Sequence, residues 1–433
     1  MVIGDIISNK YILIKKIGTG HFSEVWLCIE IPTKKYHAIK IFDKHLDVAK
    51  NELKILAKIK ALNNPNCLTY TDKYEYDDKI YIIQPLMAGS IYDIMSSQYP
   101  SGFPFECVKK IIRDILQALN HLHTKLKLIH ADIKPENILL VGRTLEMEKI
   151  ISKIDNCLKN IKITKSKKTK LNYRDIAKCI KNAMFQPNLI PEQSLGGMQS
   201  TDMDIDSDDT SSNDSSECSI STVSDIHSSH SSHVDRMVIC SDTGDDLDDI
   251  TTSNMRDVEI IIDVKYILSP TVVLADFGNS IDIPDDTERY GDIQTRHYRA
   301  PEIILRDMFN EKTDIWAIGC TIYELLTHKI LFNPNTFLNI TCDRQHLYDF
   351  QCILGDIPSN LRNTRKASIF FRKDGTLKGF WQHQKSNLLT ILRTAFLGKL
   401  SEEQIIQVYY FMQSTLNYDI NKRPSAKECL KMI

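Results

Sequence analysis

The chain has no apolar run long enough to cross a bilayer, and its N-terminal MVIGDIISNKYILIKKIG interrupts the hydrophobic letters with Asp5, Ser8, Asn9 and Lys10. Neither a membrane span nor a signal-peptide core is therefore expected. An excess of charge of either sign is also missing: 54 Lys and Arg against 56 Asp and Glu leave a formal net charge of -2. No global field draws such a molecule to nucleic acid or to an anionic membrane, so electrostatic recognition has to be local and no direct partner of either kind is expected. Paired cysteines are absent too. The 11 cysteines are odd in number, scattered and free of CxxC spacing, which points to reduced thiols in the cytoplasm or the nucleus over a disulfide framework. No internal repeat is visible. What is present, 42% hydrophobic and 25% charged residues over 433 positions, suffices for a sizeable core in one large or two ordinary domains of a soluble globular protein, expected as a monomer.

Composition changes sharply twice along the chain. Short Val/Ile/Tyr-rich runs at 10 to 42 and 65 to 88, among them KYILIKKI, YHAIKIF and KIYIIQPL, read as strands, with VAKNELKILAKIKAL as a helix between them. Residues 105 to 125 and 311 to 433 carry helical periodicity. Between these regions, about 143 to 182 is Lys-rich, and about 200 to 258 is crowded with Ser, Thr and Asp and poor in aromatics. Such a composition cannot bury enough apolar surface to hold a fold, so the middle is expected to be an insert outside the core. Within it, His227, His230 and His233 in HSSHSSH, flanked by Cys218 and Cys240, could be assembled into a zinc site, but the spacing matches no standard finger. The runs SDDTSSNDSSE and SDTGDDLDD read as solvated, phosphorylatable acidic tails that serve solubility or act as a localisation or partner handle.

The first motif with chemistry is IGTGHFSEVWL. Ile17, Gly18, Thr19, Gly20, His21, Phe22, Ser23, Glu24 and Val25 make a strand-turn-strand in which Gly18 and Gly20 let backbone approach phosphates closely and Val25 is placed to cover an adenine; Ser23 replaces the third glycine of GxGxxGxV. Alone, these letters also fit an ordinary glycine hairpin. Support comes from the next strand, where Ala38 and Lys40 form an Ala-x-Lys that puts an ammonium where the α and β phosphates of ATP would lie, and from Glu52, which a helix can bring to Lys40. In HADIKPENILL, residues 130 to 140, Asp132 can accept a hydroxyl proton, Lys134 can neutralise a transferring phosphate and Asn137 can bind a metal ion, all from one loop. Asp276-Phe277-Gly278, after the strand-like TVVLA, supplies a second metal carboxylate, and Ala300-Pro301-Glu302 closes the segment that follows.

On these motifs, with Asp314 in TDIWAIGC and Arg423 in NKRPSAKECL, the chain resembles the eukaryotic protein kinase superfamily over nearly its whole length, the insert excepted. Within that superfamily it is most similar to the SR-protein kinases, which phosphorylate serines in Arg-Ser repeats. GHFSEVWL, HADIKPENILL, LADFGNS, DIQTRHYRAPEIIL, DRQHLYDFQCILGDIP and FFRKDGTLKG carry the likeness. The resemblance implies an α+β bilobal fold: a small antiparallel β-rich N-lobe with one main helix at 1–87, a larger helical C-lobe begun at 88–142 and resumed at 265–433, and a mostly disordered spacer at 143–264, such as those kinases also carry. It implies ATP and Mg2+ as cofactors, the metal held by Asn137 and Asp276, and an adenine-binding amide at Met87, with Gln84 as gatekeeper and Pro85 in place of the usual hinge acid. Lys134 with Thr295 resembles serine/threonine specificity, Asp314 would brace the catalytic loop, and Arg423 would pair with Glu302.

Two departures from the common pattern bear on regulation and substrate. Ala131 stands where most kinases have the arginine that binds an activation-segment phosphate; SR-protein kinases lack it as well, so the resemblance implies activity without that switch. In the groove that holds basic substrates, Gln345 and Cys352 align with acids, while Asp343, Asp349 and Asp356 remain nearby. The expected partner is a protein with basic, serine-containing segments. The alternative is a kinase-shaped scaffold acting through its acidic, Ser-rich insert, and retention of Lys40, Asp132, Asn137 and Asp276 favours the enzyme.

Overall fold

The computed structural model describes residues 1–20, 23–164, 173–185, 266, 268–283, 293–335, 340–363, 366–380 and 386–433, with backbone alone at 160–164. All of these fall in one unit made of Met1–Gln186 and Val258–Ile433. The expected strands form an antiparallel sheet, β1 (Ile6–Ile7), β2 (Tyr11–Thr19), β3 (Glu24–Glu30), β4 (Lys35–Phe42), β5 (Asp72–Tyr76) and β6 (Lys79–Pro85), in the order β1-β2-β3-β4-β6-β5. Alternation along each strand sends Tyr11, Leu13, Cys28, Ile39 and Ile83 into one cluster and Ile12, Ile14, Leu27, Ile29 and Tyr36 into another. Both faces of the sheet are covered, which is why the strands read as nearly unbroken apolar runs. The helix α1 (Leu46–Leu62) buries Ala49, Glu52, Ile55, Leu56 and Ile59 and packs its apolar side with Phe42, Ile80 and Ile82.

The larger lobe is helical around a core that includes Trp316, Phe332 and Phe350. Among the described residues its helices of two turns or more are α2 (Ile91–Gln98) and α3 (Phe105–His121) and, after the insert, α6 (Lys312–Thr327), α7 (Cys342–Leu354), α8 (Leu388–Ala395) and α9 (Glu402–Thr415), with α4 (Leu145–Thr164) and α5 (Tyr173–Phe185) lying in the insert itself. Helix α6 is buried from Thr313 to Thr327 on every side, the pattern of a helix at a domain's centre rather than its surface. Two small sheets lie between the lobes: β7 (Gly89–Ser90), β9 (Ile138–Leu140) and β10 (Val272–Leu274) in the order β10-β9-β7, and β8 (Leu128–Ile129) paired with β11 (Ile281–Asp282). These short pairings carry the catalytic loop and the Asp276 turn on adjacent strand ends.

The Lys-rich stretch does not behave as an insert outside the core. Residues Leu145–Thr164 form α4 and Tyr173–Phe185 form α5. Ile151, Ile154 and Leu158 of α4 and Ile176, Ala177, Ile180 and Ala183 of α5 pack with Ile12, Ile14, Leu27, Ile29 and Tyr36 of the sheet, and Ile17 and Leu86 lie against the same cluster. Glu146 pairs with Lys15, and the Tyr36 hydroxyl donates to Asp155 Oδ1 at 2.7 Å. The reason for the difference is that Lys149, Lys159, Lys178 and Lys181 occupy exposed positions, so bulk composition hides two narrow apolar stripes at helical spacing.

A second expectation fails in the same place. Cys157 on α4 and Cys179 on α5 face each other and are joined in a disulfide, whereas wholly reduced thiols were expected. Cys28, Cys67, Cys107, Cys320 and Cys429 are buried thiols. Cys218, Cys240, His227, His230, His233 and the acidic runs lie outside the described residues. Among the described residues no helix is long and apolar enough to cross a membrane.

Candidate active site

Gly18 and Gly20 lie at the turn end of the β2–β3 hairpin, where Gly18 pairs with Val25. The Gly20 amide donates to the Ser23 carbonyl at 2.8 Å, closing the turn. His21 and Phe22 lie outside the described residues. Register places Val25 opposite Lys40 and Ala38 opposite Gln84, so Val25, Ala38, Lys40 and Gln84 share one face of the sheet, from which Lys40 reaches Asp276 of the large lobe. Met87 packs with Leu68, Leu139, Val273 and Ala275, an apolar patch formed where the two lobes meet. Thr19 and Glu24 pair across the hairpin, and Glu24 is engaged by Lys16 at 2.7 Å.

Lys40 is 9% exposed and reaches three oxygens: Glu52 Oε1 at 3.0 Å, Glu52 Oε2 at 2.8 Å and Asp276 Oδ1 at 2.9 Å. Burial alone would pull the ammonium's pKa down, but the carboxylates of Glu52 and Asp276 outweigh it and hold it above the ordinary lysine value. Desolvation pushes the half-buried Asp276 carboxyl up, and the same ammonium outweighs that push and keeps it ionised. Sequence placed these three residues 236 positions apart at the extremes; the fold makes them one charge cluster.

The catalytic-loop candidates form a second cluster. Asp132 Oδ1 accepts from the Thr295 hydroxyl at 2.6 Å, and its Oδ2 accepts from Asn137 Nδ2 at 3.0 Å and lies 3.1 Å from Lys134 Nζ. Lys134 also donates to Thr295 Oγ1 at 2.8 Å. Asn137 Nδ2 further donates to the Asp132 carbonyl at 2.8 Å, so both amide hydrogens are engaged and its oxygen is the atom left to face a cation. Asp314 at the start of α6 accepts from the His130 amide at 2.8 Å, the Ala131 amide at 2.9 Å and His123 Nε2 at 3.0 Å. This holds Ala131, buried and at φ 65, in a left-handed conformation that costs a residue with a Cβ about 1 to 2 kcal/mol. His130 accepts the Asp132 amide at Nδ1, its Nε2 lies 3.0 Å from the Ala275 carbonyl, and it packs edge-on against Phe277.

The end of the activation segment is fixed by residues that sequence reasoning passed over. Gln294, buried and at φ 69, accepts from the Ala300 amide at 2.9 Å and donates to the Thr313 carbonyl at 3.1 Å. Its own carbonyl accepts from Arg299 Nη2 at 3.0 Å. Beneath it, Arg423 forms a bidentate pair with Glu302, at 2.6 Å and 2.5 Å, and the Thr313 hydroxyl donates to the same carboxylate at 2.7 Å. Helix α7 carries Asp343, Gln345, Asp349 and Cys352. Asp343 is paired with Arg296, and burial pushes the Asp349 carboxyl up to about 6 although Gln345 donates to it at 2.9 Å.

A model of the protein kinase domain matches residues 11–164 and 255–433. The chain belongs to the protein kinase family and is a protein serine/threonine kinase. It is 31% identical over 484 residues, 99% of this chain and 87% of the other, to "Putative serine/threonine-protein kinase L205" of Acanthamoeba polyphaga mimivirus. SRSF protein kinase 3 of Homo sapiens is 27% identical over 498 residues, again covering 99% of this chain and 87% of that one. The crystal structure of the PF14_0431 kinase domain superposes with a TM-score of 0.59 at 24% identity, covering 100% of this chain and 96% of that one, and so shares the bilobal fold. Family membership brings ATP and a divalent metal ion. The donor set fits a hard cation: one carboxylate oxygen source at Asp276 and one amide oxygen at Asn137, with no cluster of three or more His, Cys, Asp or Glu among the described residues. Such sparse protein ligation suits a metal completed by nucleotide phosphates and water.

Proposed function

We propose that the chain transfers the γ-phosphoryl group of ATP, with Mg2+ as the metal, to serine or threonine in basic, Arg-Ser-like protein segments, without a phosphate on its activation segment. The observation that carries the chemistry is the Asp132 cluster. Asp132 takes the proton of the incoming hydroxyl, Lys134 places positive charge beside the position where the phosphoryl group passes, and Thr295 orients both. Lys40, held by Glu52, contacts the nucleotide phosphates, while Asn137 and Asp276 hold the metal. Gly18, Gly20 and Val25 close over the nucleotide, and Met87 presents its amide to the adenine.

Independence from loop phosphorylation rests on Ala131 and Gln294. The first has no guanidinium to bind a phosphate, and the second supplies neutral hydrogen bonds that fix the segment's end. Preference for basic serine segments rests on the likeness to SRSF protein kinase 3. The pairing of Asp343 with Arg296 and the raised pKa of Asp349 support weaker docking than a fully acidic groove would give. The intact cleft argues against a scaffold acting through its insert.

The test compares Arg-Ser, acidic serine and proline-directed peptides with phosphatase-treated full-length protein at two salt concentrations. The Arg-Ser peptide is expected to lead, its KM rising with salt while kcat changes less, because exposed charge pairs are screened over about 8 Å at physiological ionic strength. Preference for either competitor would reject the basic substrate class. A large loss of rate after phosphatase treatment would reject phosphate independence.

A further inference from the structure

Helix α1 is joined to the Asp276 turn by a side chain that no motif singles out. Asn51, next to Glu52, donates from Nδ2 to the Gly278 carbonyl at 3.0 Å and to the Ser280 carbonyl at 3.2 Å. A carboxamide nitrogen has two hydrogens, and here each has a carbonyl of the same turn. The turn continues the linkage: the buried Ser280 hydroxyl donates to the His130 carbonyl at 3.2 Å, on the catalytic loop. The approach is close. A Cβ added at Gly278 would lie 3.1 Å from Val48 Cγ1 and 3.7 Å from Glu52 Oε2, so the helix and the turn are close enough that a side chain there would have to push Val48 aside by a few tenths of an ångström. Two turns further along, Lys58 reaches Asp282 at 2.8 Å, but this pair is exposed and contributes little to holding the helix. Asparagine is also a poorer helix former than alanine, so local propensity does not account for its place in the middle of α1.

We propose that Asn51 is a positioning residue for phosphotransfer: its two hydrogen bonds keep α1 and the Asp276 turn in one register, so that Lys40, Glu52 and Asp276 assemble without an activation-segment phosphate. The inference rests on the kinase reading given above and adds to it the part that sets the helix. Loss of both bonds frees α1 to leave that register, which separates Glu52 from Lys40 while the substrate groove on α7 is untouched.

The experiment uses full-length protein, an Arg-Ser peptide and ATP. Asn51→Ala is expected to lower kcat about 10-fold or more while the peptide KM stays within about 2-fold, the result expected when two hydrogen bonds set a conformational equilibrium. Asn51→Asp preserves size but turns a carboxylate onto two carbonyl oxygens, so at neutral pH it should fall below the alanine variant. Its activity relative to wild type should recover as pH drops and a carboxyl O–H restores one donor. Charged and titratable groups around the site are Lys40, Glu52, Lys54, Lys58, His130, Asp276 and Asp282. Taking the Asn51→Asp to wild-type ratio at each pH cancels their own titrations.

A structural role alone predicts lower melting temperatures with unchanged kcat in the surviving folded protein and no pH recovery; either result overturns the proposal. Hydrogen exchange at residues 277–280 and along α1 gives a readout independent of turnover. Faster exchange in Asn51→Ala supports the clasp even if wild type fails to phosphorylate the peptide, a failure that would count against the kinase reading alone. Unchanged exchange would overturn the clasp.

Discussion

Asp132→Asn is expected to lower kcat about 10²- to 10⁴-fold while ATP binding stays close to wild type. The substitution is nearly isosteric, so its effect is chemical. Asp132 now accepts from Thr295 at Oδ1 and from Asn137 at Oδ2, with Lys134 3.1 Å from Oδ2. An amide nitrogen at either position would face a donor instead of accepting from it, and neither amide atom can take the proton of an incoming hydroxyl at neutral pH. The nucleotide contacts lie elsewhere, on the glycine hairpin and on Lys40, whose partners Glu52 and Asp276 do not touch Asp132. Single-turnover phosphotransfer and nucleotide titration of the same preparation separate the two effects. Undiminished turnover would remove Asp132 from the role of base, and parallel loss of ATP affinity would mean that the loop itself has moved.

The active cleft was legible in the sequence because phosphotransfer restricts which side chains can serve at each point, and those residues sit at spacings fixed by short strands and tight loops. Lys40, Glu52 and Asp276 meet in one cluster and Asp132 and Asn137 in another, and Arg423 meets Glu302. Residues that work through backbone groups left no such mark. Asn51 and Gln294 act on carbonyls and amides that every residue possesses, so nothing in the letters around them signals their partners. Ala131 gave half its meaning: the missing guanidinium was visible, but the left-handed backbone held by Asp314 was not. The Lys-rich start of the insert departs from its composition for a different reason. Helical spacing at Ile151, Ile154 and Leu158 is present in the sequence, but lysines dominate the composition of that stretch and no tertiary partner was in view.

Removing residues 145–262 is therefore expected to yield aggregated or molten protein, although composition alone would class the whole segment as dispensable. The deletion strips α4 and α5 from the sheet and bares Ile12, Ile14, Leu27 and Ile29, each now 0% exposed, together with Tyr36. At about 1.5 to 3 kcal/mol for each large apolar side chain, the loss is on the order of the entire stability of an ordinary domain, about 5 to 15 kcal/mol. The Lys15–Glu146 pair adds little, since both partners are about a third exposed in side-chain terms. Removing only 187–257 spares both helices and should leave a cooperative melt within about 2 °C of wild type, because lengthening or shortening a connection outside the packed unit changes closure entropy only slowly. The pair of deletions tests the two helices directly: melting the two against full-length protein shows whether α4 and α5 belong to the fold, and a soluble 145–262 deletion with an unchanged midpoint would place them outside it. Ile17 on the glycine strand and Leu86 beside the hinge rest on the same apolar cluster, so any soluble fraction of the larger deletion should also show a raised KM for ATP with the peptide KM unchanged.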